Sequence, residues 1–374
     1  MARAARIRGI LDSSSADFIR VMRNRITLCT LLVLLARGAF AAEASAPQLP
    51  EPLTNNAVAM LKIHGRFELF SLMGIGPKKT WDAVTNAGYE VDTVAAKAHA
   101  IHAVPGTAGR IGAMAVGADG RVYLFGGYVI YQGGGRVVTD ANMYQPDYDR
   151  WIRTADVPTA VGDSVIGVYR DRFIYLIGGR SNARLVSDVQ MYDLDKNRWS
   201  SATAMPGTAV FGHAGAIVDD TIVYADGARK NDGGGANFIA SDECWKGKID
   251  HHNAATIEWT RLPNHPGAAG FGMAAGGSEK DARIYFSGGS ANPHDYTGVG
   301  YDGKPSEPSP ATFDFNLRSG KWETINDNTP NPTMDHRGLL VTPEGLVIIG
   351  GMEKGQQVTG SIVLVPKPVK TYLQ

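Results

Sequence analysis

Five places in this 374-residue chain carry groups able to grip a polar small molecule, each just ahead of a short apolar run: Arg110, Asp163, His213, Phe271 and the pair His336-Arg337. Guanidinium, imidazole and carboxylate groups partly withdrawn from water could hold an anionic or polyhydroxylated ligand by charge-assisted hydrogen bonds. The plain alternative is that they satisfy loop carbonyls or face a water-filled channel. Arg180 and Arg229 follow glycine turns and could point the same way, although solvated arginines read identically in sequence. Other chemistry finds less support. Nine histidines are present, but His251-His252, His265 and His294 lack the paired spacing of a zinc site, so no metal and no cofactor are expected. Gly133–Gly135 and Gly233–Gly235 are not phosphate loops, since no helix bearing Lys or Ser/Thr follows. No nucleophile elbow occurs.

The elements that must position these groups are visible in a repeat. Three stretches share a glycine pair ending an apolar strand, then an aromatic residue, then a tryptophan seven positions on. They are Gly126-Gly127 … Tyr144 … Trp151, Gly178-Gly179 … Tyr192 … Trp199 and Gly288-Gly289 … Phe315 … Trp322. A fixed aromatic-to-Trp interval after a variable loop marks a repeated hairpin. A period of roughly 50 residues built from short strands predicts an all-β, six-bladed β-propeller of kelch type. The glycines stand where adjacent blades crowd and a Cβ would clash.

The units are 54–107, 108–160, 161–210, 211–269, 270–335 and 336–366. In the clearest one, Val165–Tyr169 suits a fully buried innermost strand and Phe173–Ile177 a second central strand. Asp188–Tyr192 alternates polar and apolar residues and predicts a half-buried third strand. The last unit has only three evident strands, so the N-terminal stretch around 47–60 is expected to close the ring and remove a free sheet edge. The first unit is the most degenerate. Leu72–Gly76 stands in for the glycine pair, and Trp81 comes early.

Residues 1–41 read as an export signal: the basic Met22–Arg25, the apolar Ile26–Ala36, then a small-x-small motif at Ala39-Phe40-Ala41, with Met22 an alternative start. The propeller would then be residues 42–374, in the periplasm. That leader holds seven Arg and two acids, out of 37 basic and 37 acidic residues in all; the remainder has 30 basic and 35 acidic residues, a net of −5. Such a balance offers no support for nucleic acid or an anionic membrane as partner. Cys244 is the one cysteine left, which excludes an internal disulfide.

A secreted kelch chain with Gly74-Ile75-Gly76 … Trp81 in its first unit, a Leu49–Pro52 lead-in and a tyrosine- and glycine-rich insertion in unit five (Tyr296, Gly298, Tyr301, Gly303) resembles the bacterial sialic-acid mutarotases, or N-acetylneuraminate epimerases. The Ala-Gly-rich starts at Gly212–Ala216 and Gly267–Gly272 add to the likeness, which spans most of 47–366. It implies interconversion of the anomers of an acidic or N-acetylated sugar such as sialic acid. A base takes the anomeric proton, an acid protonates the ring oxygen, and an arginine holds the carboxylate. The family's blade-four glutamate and arginine fall here on Ala228 and Gly234; Asp226 as base and Arg229 as anion holder are the substitutes within reach. The alternative is a non-catalytic propeller presenting its loops to a glycan or a protein partner. Copper radical oxidases share the blade repeat, but no Tyr-His dipeptide occurs and Cys244 is the only thiol outside the leader.

Overall fold

The structure, a computed structural model, describes residues 47–63, 65–92, 97–106 and 108–367. The leader proposed at 1–41 and the alternative start at Met22 lie outside the described residues. Five four-stranded antiparallel sheets and one of three strands follow one another along the chain. Their innermost strands are Ala57–Ile63, Met114–Ala118, Val165–Tyr169, Ala214–Val218, Ala274–Ser278 and Leu340–Val341. Consecutive inner strands pack side by side around the ring, including the last against the first. Six apolar clusters fill the six gaps between neighbouring sheets, so each blade is a layer in a circular stack.

Ring closure falls to the N-terminal segment. Ile362 N–H donates to Pro47 O (3.0 Å) and Leu49 N–H to Gly360 O (2.8 Å), so residues 47–49 line the free side of strand Ile362–Val365. Gly351 N–H then donates to Leu53 O at 2.9 Å. Blade six is thus completed from the other end of the described chain.

The seven-residue interval has a simple geometric origin. Tyr144 and Trp151, Tyr192 and Trp199, and Phe315 and Trp322 are direct cross-strand partners of the outer hairpin. Their rings lie 4.9–5.0 Å apart. Each indole N–H also reaches back to the previous blade: Trp151 to His102 O, Trp199 to Ala155 O and Trp322 to Pro263 O, all at 2.8 Å. A ring packed on a buried aromatic partner and a satisfied indole donor at one position make tryptophan hard to replace. In blade four Gly247 faces Trp259 instead, and the indole lies over the place a Cβ would fill.

The glycine pairs are crowded in two directions. A Cβ on the first glycine of three pairs would overlap a carbonyl of the segment leading to the next inner strand: Val161 for Gly126, Thr333 for Gly288, Leu53 for Gly350; on Gly178 it would meet Met205 Sδ. A Cβ on the second would strike the lead-in of its own inner strand, at Ala113 for Gly127 and Ser164 for Gly179.

Two sequence expectations need correction. The inner strand Val165–Tyr169 is the alternating one, because Ile166 and Val168 line the axial channel; the third strand Val189–Asp193 is buried at every position. A third strand has blades on both faces, whereas an inner strand borders open space. Trp81 is not a blade lock either. It sits in a single 3-10 turn, Trp81–Ala83, with 48% of its surface exposed, and the outer strand of blade one, Lys97–Ile101, carries no tryptophan.

Candidate functional site

Every inner strand is preceded by one residue in the left-handed backbone region: Asn55 (φ 59°), Gly112 (59°), Asp163 (57°), Gly212 (61°), Gly272 (62°) and Asp335 (70°). Glycine, asparagine and aspartate are the residues that tolerate this conformation. The turns are stitched to one another around the axis. Asp163 N–H donates to Gly112 O, Gly212 N–H to Asp163 O, Gly272 N–H to Gly212 O and His336 N–H to Gly272 O, each at 2.9 Å. Asn55 N–H donates to Asp335 O (3.3 Å), and Asn55 Oδ1 accepts from Gly112 N–H (2.7 Å). The result is a closed hoop of hydrogen bonds, one link per blade.

The hoop separates two cavities. On one side an axial channel of about 250 Å³ is walled by the inner strands, with apolar groups such as Val58, Ile166, Val168 and Ile217. On the other side lies a cavity of about 160 Å³ beside the loops. Asn55, Asp163 and Asp335 of the hoop line it, together with Arg337, Arg180, Phe211, Phe271 and the insertion residues His294, Asp295, Tyr296 and Tyr301.

Insertion 290–310 reaches from blade five over its neighbours. Lys79 Nζ of blade one donates to Thr297 O (2.7 Å) and to Gln356 O of blade six (3.0 Å), while Gln356 Nε2 donates to Ser306 O (2.7 Å). Tyr296 packs on the small Ile75, Ile111 and Ile130 cluster, and Tyr301 packs on Phe211 and Phe238, with ring centroids 6.2 and 4.9 Å away. The insertion is therefore anchored on both flanks of the cavity.

Arg337 is the charged centre. Its Nη2 lies 2.7 Å from Asp163 Oδ1 and 3.2 Å from Asp335 Oδ1, and Nη1 donates to His336 O at 2.7 Å. Burial works against its charge, but the two carboxylates outweigh it and raise the guanidinium pKa. Asp335 also accepts from Thr54 Oγ1 (2.9 Å) and Asn55 Nδ2 (2.7 Å). Asp163 is the more open of the two acids, its side chain 21% exposed against 2% for Asp335. Arg180 is exposed, with its guanidinium 5.3 Å from the Phe238 ring and 5.7 Å from Phe211, and no side-chain hydrogen bond or ion pair holds it among the described residues.

Of the residues proposed from sequence, the structure brings Asp163, Arg337 and Phe271 together with Arg180 at the loop-side cavity; His213 and His336 are among the residues of the axial channel, as are Asp163 and Arg337, while Arg110, Asp226 and Arg229 line neither. The reason is register. Counting from the left-handed residue, the next position is Asn56, Ala113, Ser164, His213, Met273 or His336, and it packs on the second glycine of its own blade. His213 therefore lies edge-on to Tyr224 at 5.5 Å, and His336 Nε2 meets Thr333 Oγ1 at 2.9 Å. Burial pushes both imidazoles down to about 4. The position after that opens the inner strand in five blades; in blade six the strand starts only at Leu340, and there Arg337 turns to the axis. Arg110, two residues ahead of Gly112, turns into blade two. It donates to Gly126 O (2.9 Å) and Asp140 O (3.1 Å), so it serves loop carbonyls.

Asp226 stands where other blades have their first glycine. Its Oδ2 accepts from His265 Nε2 and Gly270 N–H, both at 2.6 Å, at the junction with blade five. Burial opposes the imidazolium, yet the bond and charge of Asp226 raise the His265 pKa. The side chain is fully buried and lines neither axial cavity, so it is a structural ion pair rather than a base in the pocket. Arg229 lies on the hairpin strand Ala228–Lys230 and also lines neither cavity. Asn55 and Asp335 escaped sequence reasoning. Their signal was an Asn or Asp at the same register as Gly112, Gly212 and Gly272. Among the described residues no His, Cys, Asp and Glu side chains form a group of three able to hold a metal.

The Kelch motif profile matches residues 174–206, the second, third and outer strands of blade three. No curated protein matches the chain at a significant level. Among solved structures the chain is similar to one described as "Structure of YjhT", with 20% identity, a TM-score of 0.69, and coverage of 87% of this chain and 98% of that one. Likeness at that identity speaks for the fold. With six radial sheets, the paired glycines and this match together, the chain is an all-β, six-bladed propeller built on the kelch motif.

Proposed function

We propose that the loop-side cavity binds a sugar and that the protein exchanges its anomers, in the manner of a mutarotase. One observation carries this reading: a partly exposed carboxylate, Asp163, stands beside a buried guanidinium inside a cavity fenced by an anchored, aromatic-bearing insertion. Ring opening needs a proton acceptor at the anomeric hydroxyl, and Asp163 supplies it in place of Asp226. Tyr296 and Tyr301, both half-buried, offer apolar faces for a sugar ring, with Phe211 and Phe271 packed behind. Three carboxylates and two guanidiniums line the cavity, so its overall charge gives an anion no advantage. An N-acetylated sugar fits this balance, and an acidic one depends on Arg180, whose guanidinium is uncommitted.

The test is anomer exchange on freshly released sugars, followed by NMR or polarimetry across acidic, N-acetylated and neutral sugars, sialic acid included. The wild type is expected to accelerate exchange, Asp163→Asn to lose about 100-fold, and Asp226→Asn to keep the rate. Arg180→Gln should weaken acidic sugars about tenfold and spare neutral ones. No acceleration with any sugar would leave a binding propeller. That second reading draws on Arg337, whose charge both aspartates already compensate without a ligand.

We further propose that the protein is exported, on the strength of the apolar segment Ile26–Ala36 and the motif ending at Ala41. N-terminal sequencing of the protein from a periplasmic fraction should begin at Ala42. A cytoplasmic product that retains the leader would refute export.

A further inference from the structure

Three residues that line the loop-side cavity carry a buried side-chain atom with no hydrogen-bond partner among the described residues: Asp163 Oδ1, which is ion-paired to Arg337, and two nitrogens without even that, His294 Nε2 and Arg337 Nε. Both side chains are deeply buried, His294 with 2% of its surface exposed and the Arg337 side chain with 6%. Buried polar atoms without partners cost about 1–3 kcal/mol each, so a site that keeps them is one where something else satisfies them.

Their neighbours constrain what each atom can do. His294 Nδ1 lies 2.9 Å from the carbonyl oxygen of Asp295, which can only accept. Nδ1 therefore carries a proton, and Nε2, unless it carries a second one, presents a lone pair. The ring is held in place edge-on to Phe271, with centroids 5.1 Å apart. Arg337 Nε carries a hydrogen and can only donate. Its two Nη atoms are already taken by Asp163, Asp335 and the His336 carbonyl.

We infer that the cavity's ligand is held by this pair, donating a hydroxyl hydrogen to His294 Nε2 and offering an oxygen acceptor to Arg337 Nε. The ligand class is a compound with a hydroxyl next to an oxygen acceptor, as in a hydroxy acid or a vicinal diol. The inference rests on the sugar-binding reading for its setting and deepens it. His294 becomes the second proton-handling group of the site, after Asp163, and the insertion becomes a contributor of chemistry as well as a wall.

The experiment uses the full chain with ¹⁵N-labelled histidine and arginine, the His294 signals being assigned by their loss in His294→Asn. The free protein should show His294 with Nδ1 protonated and Nε2 bare. Glycolate, which has a hydroxyl beside a carboxylate, should shift Nε2 and the Arg337 Nε–H signal at concentrations up to about 0.1 M. Acetate, which lacks the hydroxyl, should leave Nε2 unmoved. His294→Asn keeps a side-chain N–H for the Asp295 carbonyl but removes the far acceptor, and should weaken glycolate about tenfold while sparing acetate. A protonated Nε2 in the free protein, an equal response to the two probes, or no response to glycolate, glucuronate and sialic acid would each overturn the inference. Anomer exchange is a separate readout. Its absence with the Nε2 shift intact refutes the enzyme and keeps the ligand pair, whereas exchange without any Nε2 shift does the reverse.

Discussion

Stability should fall by about 6 kcal/mol between pH 7 and pH 4 on account of two side chains, His213 and His336. Both are buried and both have pKa values near 4 in the fold, against 6.5 for a free imidazole. The unfolded chain therefore binds protons that the native state refuses. A depressed pKa contributes stability that is fully present above 6.5 and is lost as pH falls through 4. Each shift of roughly 2.5 pH units is worth about 3 kcal/mol at the lower end of that window. Met273 occupies the equivalent place in blade five, so the repeat itself supplies a neutral replacement of suitable size. Urea unfolding of His213→Met/His336→Met at pH 7 and pH 4 should show less than half the acid loss of the wild type. Parallel losses in the two proteins would mean that the protons bind elsewhere.

Gly350→Ala should be strongly destabilising, at about 4 kcal/mol or more. The residue has φ 68°, which an alanine adopts only with strain, and its Cβ would overlap the Leu53 carbonyl. Leu53 belongs to the N-terminal segment that completes blade six, and the same carbonyl accepts the Gly351 N–H. The methyl group therefore pushes on the seam where the ring closes. Gly234→Ala is the control. It has φ 84° but nothing within 4 Å of the added atom, so it should cost only about 1 kcal/mol of backbone strain. Thermal unfolding midpoints of the two variants decide the matter, and similar shifts would remove the seam from consideration.

The blades were legible because their signals are local. A seven-residue interval fits a hairpin in which aromatic ring and indole face each other, as Tyr192 and Trp199 do. A glycine pair is required wherever a neighbouring carbonyl leaves no room. Burial was harder to read, since it depends on what lies beyond the strand. Val189–Asp193 looks amphipathic in isolation and is covered on both faces, while Val165–Tyr169 looks like core and borders a channel. The site was legible only in part, because one step of register reverses a side chain. Asp163 sits on the left-handed residue and lines the loop-side cavity; His213 sits one position later and packs on Gly227 of its own blade. Arg337 is the exception that a late-starting strand creates. His294 had no visible role from its neighbours in sequence, as its setting comes from Phe271 and from the anchoring of the insertion.

The hoop of hydrogen bonds has a consequence for how such a molecule changes over time. Five of its six links run from one peptide group to another, and the sixth uses Asn55. Amide-to-amide links are indifferent to the identity of the side chain, provided the backbone can adopt the turn. The floor of the loop-side cavity is thus insulated from most mutation. The lining of that cavity can change by exchanging the segment 290–310 or the groups around Arg180, with no need to renegotiate the assembly of the wheel beneath.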